Sequence, residues 1–308
     1  KHNNWSIHGP DGNNWLSPGK NPRENAKFLT MICALMKAVD THADILRASI
    51  ASAGNDLRLG GNEAPPAIIS MFLGKQLMNI IEQIESGRSQ IAKHVENIHL
   101  GISTIPPLPR DLTDRNRTSP FAFTGNKLEF RPVGSNQNCA SSNMVLNTIM
   151  SEALDEICVK LESKKKAGKD FNESLQIILQ DIIKKHKRIL YNGDNYAKQW
   201  QEEAKRRGLP NIKTTPEALE VFTKKKTTDL FEKYNVLSRR ELISRYKVYK
   251  EKYKHLIDIE ANCAISIVKT LIIPAVLQYE HNLASTLHEI SSLKNASNKD
   301  SVQKLFME

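Results

Sequence analysis

The chain has 308 residues, 40% hydrophobic and 25% charged, which excludes a wholly disordered chain and suffices for one large or two ordinary domains with real cores. Its 44 Lys and Arg against 34 Asp and Glu give a net charge of +10, a balance that suits nucleic acid or any other phosphate-bearing ligand. The lysine runs around Lys164, Lys184 and Lys224 fall in helical patterns and read as solvated helix faces, so charge alone names no partner.

In chain order, Lys1 to Ser6 is a polar hexapeptide in which His2 stands beside amides, a pattern usual for a surface. Asn21, Pro22 and Glu24 predict a helix start, and Phe28, Leu29, Ile32, Cys33, Leu35, Met36 and Val39 supply its apolar face. Ala43 to Ser52 continues helical. Ala53 to Ala67 holds three glycines and two prolines and reads as a loop carrying Asp56, Arg58 and Glu63. Ala67 to Phe72 predicts a strand and Gln76 to Ile84 an amphipathic helix, while residues 88–113 form a polar insertion without a readable pattern.

From Lys127 to Arg131 the chain alternates. A strand here would turn Leu128 and Phe130 into a core and aim Lys127, Glu129 and Arg131 at one surface, with Arg115 and Arg117 just upstream. A carboxylate flanked by cations suits a metal-bound polyphosphate, because the anion holds the metal while the cations hold phosphate oxygens. Alternation alone favours the simpler reading of a half-exposed strand with mixed surface charge.

Gly134 to Asn138 then reads as a loop feeding a long helix over 141–165, and everything beyond is helical. Asp170 with Glu173, Ser238 with Glu241, and Thr215-Pro216-Glu217 mark helix starts. A composition shift near 166 divides the chain into a mixed α/β part, 1–165, and a helical part, 166–308. The fold class is α+β. The best apolar run, Ile265 to Leu277, is broken by Lys269 and Pro274 and is too short to span a membrane. The four cysteines, Cys33, Cys139, Cys158 and Cys263, lack C-x-x-C spacing, and three fall in apolar helical patterns. They read as reduced core residues, which predicts an intracellular, cytoplasmic protein. The chain opens at Lys1, not Met, and reads as the later part of a longer protein.

Taken together, Arg115-Asn-Arg-Thr-Ser-Pro-Phe through Arg131, Gly54-Asn-Asp with Arg58 and Asn62-Glu-Ala-Pro-Pro66, and His2-Asn-Asn-Trp-Ser6 resemble the type III glutamine synthetases. Gly193-Asp-Asn-Tyr196, Arg207-Gly-Leu-Pro-Asn211, Thr215-Pro-Glu-Ala-Leu219 and Ile259-Glu-Ala-Asn262 extend the resemblance through the helical part. The resemblance implies the C-terminal part of an antiparallel-sheet catalytic domain, followed by a mostly α-helical C-terminal region. It implies ATP-dependent ligation of ammonia to the γ-carboxylate of L-glutamate through a γ-glutamyl phosphate. Phosphoryl transfer between two anions depends on positioning and charge neutralisation, so metals and arginines are expected to dominate such a site.

Carried over by residue, His2 and Glu129 match ligands of the metal that bridges the ATP phosphates, Mg2+ (or Mn2+); imidazole is unusual for magnesium but acceptable in a mixed site, and it would also tolerate manganese. Asn4 and Ser6 match positions beside the nucleotide, and Lys127 a cation near it. Arg58 matches the arginine that grips the substrate carboxylate, for which a bidentate fork is suited. Glu63 matches the lid glutamate that takes the ammonium proton. Arg117 matches an arginine on the transferred phosphoryl group and on ATP, and Arg131 one that faces the γ-carboxylate. Arg115 is as readily a surface or ion-pairing arginine.

The pattern departs at Leu57, where the family has His, at Pro132, where a larger apolar residue is usual, and at Ala122, where the shorter synthetases carry an arginine. The family's second metal site and substrate glycines lie upstream of His2, so the segment alone is expected to be inactive. A homo-oligomer built as a double ring is implied, with neither nucleic acid nor membrane as partner. Three other readings stand beside this one: a glutamate–amine ligase of the same superfamily, a non-catalytic structural or regulatory ring, and a basic nucleic-acid binder supported by charge alone.

Overall fold

The computed structural model describes residues 2–61, 64–87, 97–98, 108–109, 118–292, 300–301 and 304–305. The described chain falls into two compact units, Lys1–Lys250 and Glu251–Glu308. The first contains a four-stranded sheet in the order β1-β6-β5-β2, made by β1 (Asn3–Trp5), β2 (Met71–Phe72), β5 (Phe121–Phe123) and β6 (Leu128–Phe130). A separate two-stranded ladder pairs β3 (Asn97–Ile98) with β4 (Leu108–Pro109). The insertion over 88–113 otherwise lies outside the described residues.

The sheet is mixed, so the antiparallel expectation holds for two of its three pairings. β1–β6 and β5–β6 are antiparallel, but β2 runs parallel to β5, with Met71 opposite Phe121. The predicted strand over 67–72 shortens to its last two residues. In β6 the alternation holds: Leu128 and Phe130 are fully buried and Glu129 faces outward. Phe130 meets Phe121 edge-on with ring centroids 5.6 Å apart, a geometry worth about 0.5–1.5 kcal/mol beyond its area burial.

Helices back the buried face. α1 (Ala26–Thr41) begins one turn later than the sequence suggested, because the side chain of Asn25, not Asn21, accepts the Phe28 N–H. Its Phe28 ring reaches Phe123 of β5, centroids 5.7 Å apart. α2 (Ala43–Ser49), α3 (Ala53–Arg58) and α4 (Gly74–Ser86) follow. α5 (Ala140–Lys166) runs under β1, where Asn143 and Asn147, one turn apart, accept from Asn3 Nδ2 and Trp5 Nε1 at 2.7 and 2.9 Å. Both buried polar groups of β1 are thereby satisfied.

α6 (Phe171–His186) packs into the same core through Leu175, Ile178, Leu179, Ile182 and Ile183, and its N-cap Asp170 accepts from the Glu173 N–H. α7 (Lys198–Arg206), α8 (Thr215–Leu219) and α9 (Lys225–Lys233) complete the unit, with Trp200 stacked on Tyr191 at 3.8 Å. α10 (Arg239–Ile267) opens with a reciprocal capping box, Ser238 N–H donating to Glu241 and Glu241 N–H to the Ser238 hydroxyl. In the second unit a π-helical turn, Val268–Ile272, precedes α11 (Ile273–Ser292). Pro274 has no N–H to donate and its ring crowds the carbonyl one turn back, so a wide turn at this point relieves the ladder.

All four cysteines are free, but only Cys33 is a core residue, its thiol pushed up to about 12 by burial. Cys158 and Cys263 are exposed, and Cys139 is half-buried. Cys158 follows the buried Ile157, and one residue turns a helical side chain about 100° around the axis, away from the core stripe. No helix among the described residues is long and apolar enough to cross a membrane.

α1 and α5 are also joined by ion pairs, Lys37–Glu156 and His42–Glu152. The hydrogen bond from the buried His42 ring is the largest influence holding the Glu152 carboxyl below its ordinary value of 4.5. A carboxyl depressed in the folded state contributes stability that is full above its unfolded value and is lost as pH falls through the folded one. The urea midpoint of Glu152→Gln is therefore expected to lie below wild type at pH 7, with the gap closing as pH drops well below 4.5. A gap independent of pH would contradict the pairing.

Candidate active site

The outward side of β6 assembles the first cluster. The β1–β6 register sets Asn4 opposite Glu129, and His2, two residues earlier, reaches the same side, its Nδ1 3.7 Å from Glu129 Oε2. Asn4 is exposed, and Ser6 at the far end of β1 hydrogen-bonds His8. Arg131, only 5% exposed, donates to Glu129 Oε2 from Nε at 3.1 Å and Nη2 at 2.9 Å. Its Nη1 donates to the Ser119 carbonyl and its backbone N–H to the Pro120 carbonyl. The three predicted charges thus separate by environment: Glu129 half-buried, Arg131 buried against it, and Lys127 partly buried at the β5–β6 turn, its carbonyl accepting from Thr124 N–H.

Desolvation lowers the His2 pKa below its ordinary 6.5, with Arg131 and Arg58 acting in the same direction and Glu129 opposing. A neutral imidazole beside a carboxylate is a mixed nitrogen and oxygen donor pair, acceptable to Mg2+ and well suited to Mn2+. Among the described residues no three His, Cys, Asp or Glu side chains come together, so a metal at this pair would draw its remaining ligands from elsewhere.

Arg58 arrives from α3, a segment the glycine content marked as loop. The Ser52 side chain accepts from the Asn55 N–H and starts the helix, which ends before Gly60, whose φ of +80° suits glycine. Arg58 Nη1 donates to Asn55 Oδ1 and to the Pro132 carbonyl, both at 3.2 Å, and Nη2 donates to the Arg131 carbonyl at 3.2 Å. Asn55 Nδ2 donates to the same Pro132 carbonyl at 2.8 Å. Proline at 132 gives up a donor but keeps this acceptor, so that departure leaves the junction intact. Gly60 N–H closes on the Pro65 carbonyl at 2.9 Å, pinching the base of the segment that carries Glu63. Glu63, Arg115 and Arg117 lie outside the described residues; Leu57 is exposed and Ala122 is buried in β5.

Two supporting networks escaped sequence reading. Arg47, 1% exposed in α2, donates from Nη2 to Asp56 Oδ1 at 3.0 Å and from Nε to the Ile212 carbonyl at 2.8 Å. Asp56 in turn accepts from the backbone and hydroxyl of Thr215, at 2.6 and 2.7 Å. A lone arginine within the apolar Ile45–Ala48 run was the available signal. Asn195, also 1% exposed, accepts from the Ser70 hydroxyl at 2.8 Å and donates to the Ser119 hydroxyl at 3.0 Å, while its backbone N–H donates to Thr118 Oγ1.

Residues 174–291 match the family model described as the glutamine synthetase C-terminal domain. The chain is 46% identical over 296 residues to a type-3 glutamine synthetase of Dictyostelium discoideum, a match covering 94% of this chain and 39% of that protein. It is 39% identical to a glutamine synthetase of Bacteroides fragilis, over 93% of this chain and 40% of the relative. A third, from Butyrivibrio fibrisolvens, is 38% identical over 95% of this chain and 41% of its own length. The chain is a relative of type-3 glutamine synthetase. It spans about two fifths of the length of these relatives. The stretch that this model matches includes Asn195 and Thr215, which bond Ser119 just before β5 and Asp56 in α3.

Proposed function

We propose that this chain is the later part of a glutamate–ammonia ligase, and that it supplies the phosphate-side metal ligands, the substrate arginines and the lid. The observation that carries the reading is that Glu129 stands beside His2 and is held by Arg131, whose backbone carbonyl in turn accepts from Arg58, a set of residue types that phosphoryl transfer onto a carboxylate needs. A γ-carboxylate oxygen of glutamate attacks the terminal phosphorus of ATP, ADP leaves, and ammonia then displaces phosphate from the acyl carbon. Arg131 would neutralise the carboxylate as it approaches, and Arg58, fastened to the 131–133 backbone, would grip the substrate's other carboxylate. Asn4, Ser6 and Lys127 would flank the nucleotide, with Arg117 on the transferred phosphoryl group. Glu63 would hold the ammonium and take its proton. Mg2+ or Mn2+, held in part by His2 and Glu129, would supply charge neutralisation at the ATP phosphates.

The reading includes a cytoplasmic setting, in keeping with four unpaired cysteines, and a double-ringed homo-oligomer. The exposed Leu271, Val276 and Leu277 are apolar surface of the kind a further subunit would cover. The segment by itself would be inactive, because His2 and Glu129 alone cannot complete a metal site.

The full-length protein is expected to release phosphate from ATP only when glutamate and ammonia are both present, and to form glutamine in step. Glu63→Ala is expected to lower amide synthesis by about 10²- to 10⁴-fold, the usual range for losing a positioned acid–base group. Turnover with a larger amine but not ammonia would replace this reading with the amine-ligase one.

A further inference from the structure

Resting on the ligase reading above, we propose that Asn195 is a positioning residue for Arg131, acting through Ser119. The Asn195 side chain is 1% exposed and its amide is used at both ends, accepting from the Ser70 hydroxyl at 2.8 Å and donating to the Ser119 hydroxyl at 3.0 Å. Its backbone N–H donates to Thr118 Oγ1 at 3.0 Å, so consecutive residues of the segment before β5 are gripped by one asparagine. Ser119 is fully buried, and its carbonyl accepts from Arg131 Nη1. The chain of contacts therefore runs Asn195, Ser119, Arg131, Glu129, from the helical part to the side of the sheet that carries His2.

The segment that presents Asn195 is itself fixed. Tyr191 N–H donates to the Met71 carbonyl of β2, and Asn192 Oδ1 accepts from the N–H groups of Leu73 and Gly74 at the start of α4. Gly193 lies against the Tyr191 ring so closely that a Cβ there would stand 2.5 Å from the phenolic oxygen. Gly193 and Asn195 thus serve one geometry: the first leaves room for the Tyr191 ring and the second bonds the segment to Ser119. A guanidinium held at a carboxylate by several fixed acceptors acts as a preorganised charge, and its value in a transition state depends on sub-ångström placement.

The experiment compares wild type with Asn195→Ala and with the milder Ser119→Ala, in the full-length protein, by steady-state glutamine formation alongside thermal unfolding. Ser119→Ala removes one hydroxyl and keeps the carbonyl that Arg131 uses, so it tests the link without emptying the core. The expected result is a kcat lowered about 10- to 100-fold for Asn195→Ala and several-fold or more for Ser119→Ala. The KM for ATP stays within about threefold of wild type, and the effects of the two changes are less than additive in the double variant. Lowered unfolding temperature with kcat unchanged in both variants would overturn the proposal and leave Asn195 a packing residue, as would fully additive losses. Wild type without ammonia-dependent turnover would instead defeat the ligase reading on which the proposal rests, and the two failures are distinguished by that control.

Discussion

Arg131→Lys is expected to lower glutamine formation about 10²- to 10³-fold, the scale on which losing one preorganised donor to a transition state is felt. The lysine keeps the charge but not the planar fork. In wild type one guanidinium spans two acceptors, Glu129 Oε2 through Nε and Nη2, and the Ser119 carbonyl through Nη1. An ammonium can hold one of these at the cost of the other. Leaving a buried acceptor unmade costs about 1–3 kcal/mol, so a fall in the urea midpoint should accompany the kinetic defect. A variant with activity within about threefold of wild type would show that Arg131 only buttresses Glu129.

Asp56→Ala is expected to destabilise the fold by about 3–5 kcal/mol, the range for stranding one partner of a buried ion pair. Arg47 stays in place at 1% exposure without its hydrogen-bonded carboxylate, and the Thr215 N–H and hydroxyl lose their acceptor as well. Desolvation already pulls the Arg47 pKa below its ordinary value, against the Asp56 hydrogen bond and charge and the Glu217 charge, so removing Asp56 leaves Glu217 alone to oppose the burial penalty. The exposed neighbour Leu57 serves as a control: Leu57→Ala should lie within about 0.5 kcal/mol of wild type. Because Asp56 stands two residues before Arg58 on α3, kcat/KM for glutamate should fall together with stability in Asp56→Ala. Equal stability of the two variants by urea unfolding would contradict the account.

These two sites differ in how far the sequence disclosed them. Strand β6 was legible because alternation is local: Leu128 and Phe130 read as inward and Glu129 as outward, and so they are. The long helix over 141–165 and the Asp170 and Ser238 caps were legible for the same reason, each signal lying within one turn. The parallel pairing of β2 with β5 was not, since it joins Met71 to Phe121 across 50 residues with only two residues on one side. Helix α3 is hidden in the sequence because Gly54 lies close to Gly60 and Gly61, whereas the Ser52 cap and the Asn55 bonds to the Ile50 and Pro132 carbonyls decide the local fold. Residue types at the site could be read as a set of ligands and cations. Their mutual engagement could not, and the finding that Glu129 is already held by Arg131 belongs to tertiary structure.

In the ligase proposed above, the γ-carboxylate of substrate glutamate attacks ATP to form an acyl phosphate, and the fate of its carboxylate oxygens decides the matter. Glutamate carrying heavy oxygen in its γ-carboxylate is supplied to the full-length protein with ATP, Mg2+ and ammonia, and the released phosphate is analysed by mass. One heavy oxygen is expected in each phosphate released and one in the glutamine amide carbonyl. Phosphate free of the label, with ATP still consumed, would mean that water and not glutamate takes the phosphoryl group, and the ligase reading would fall.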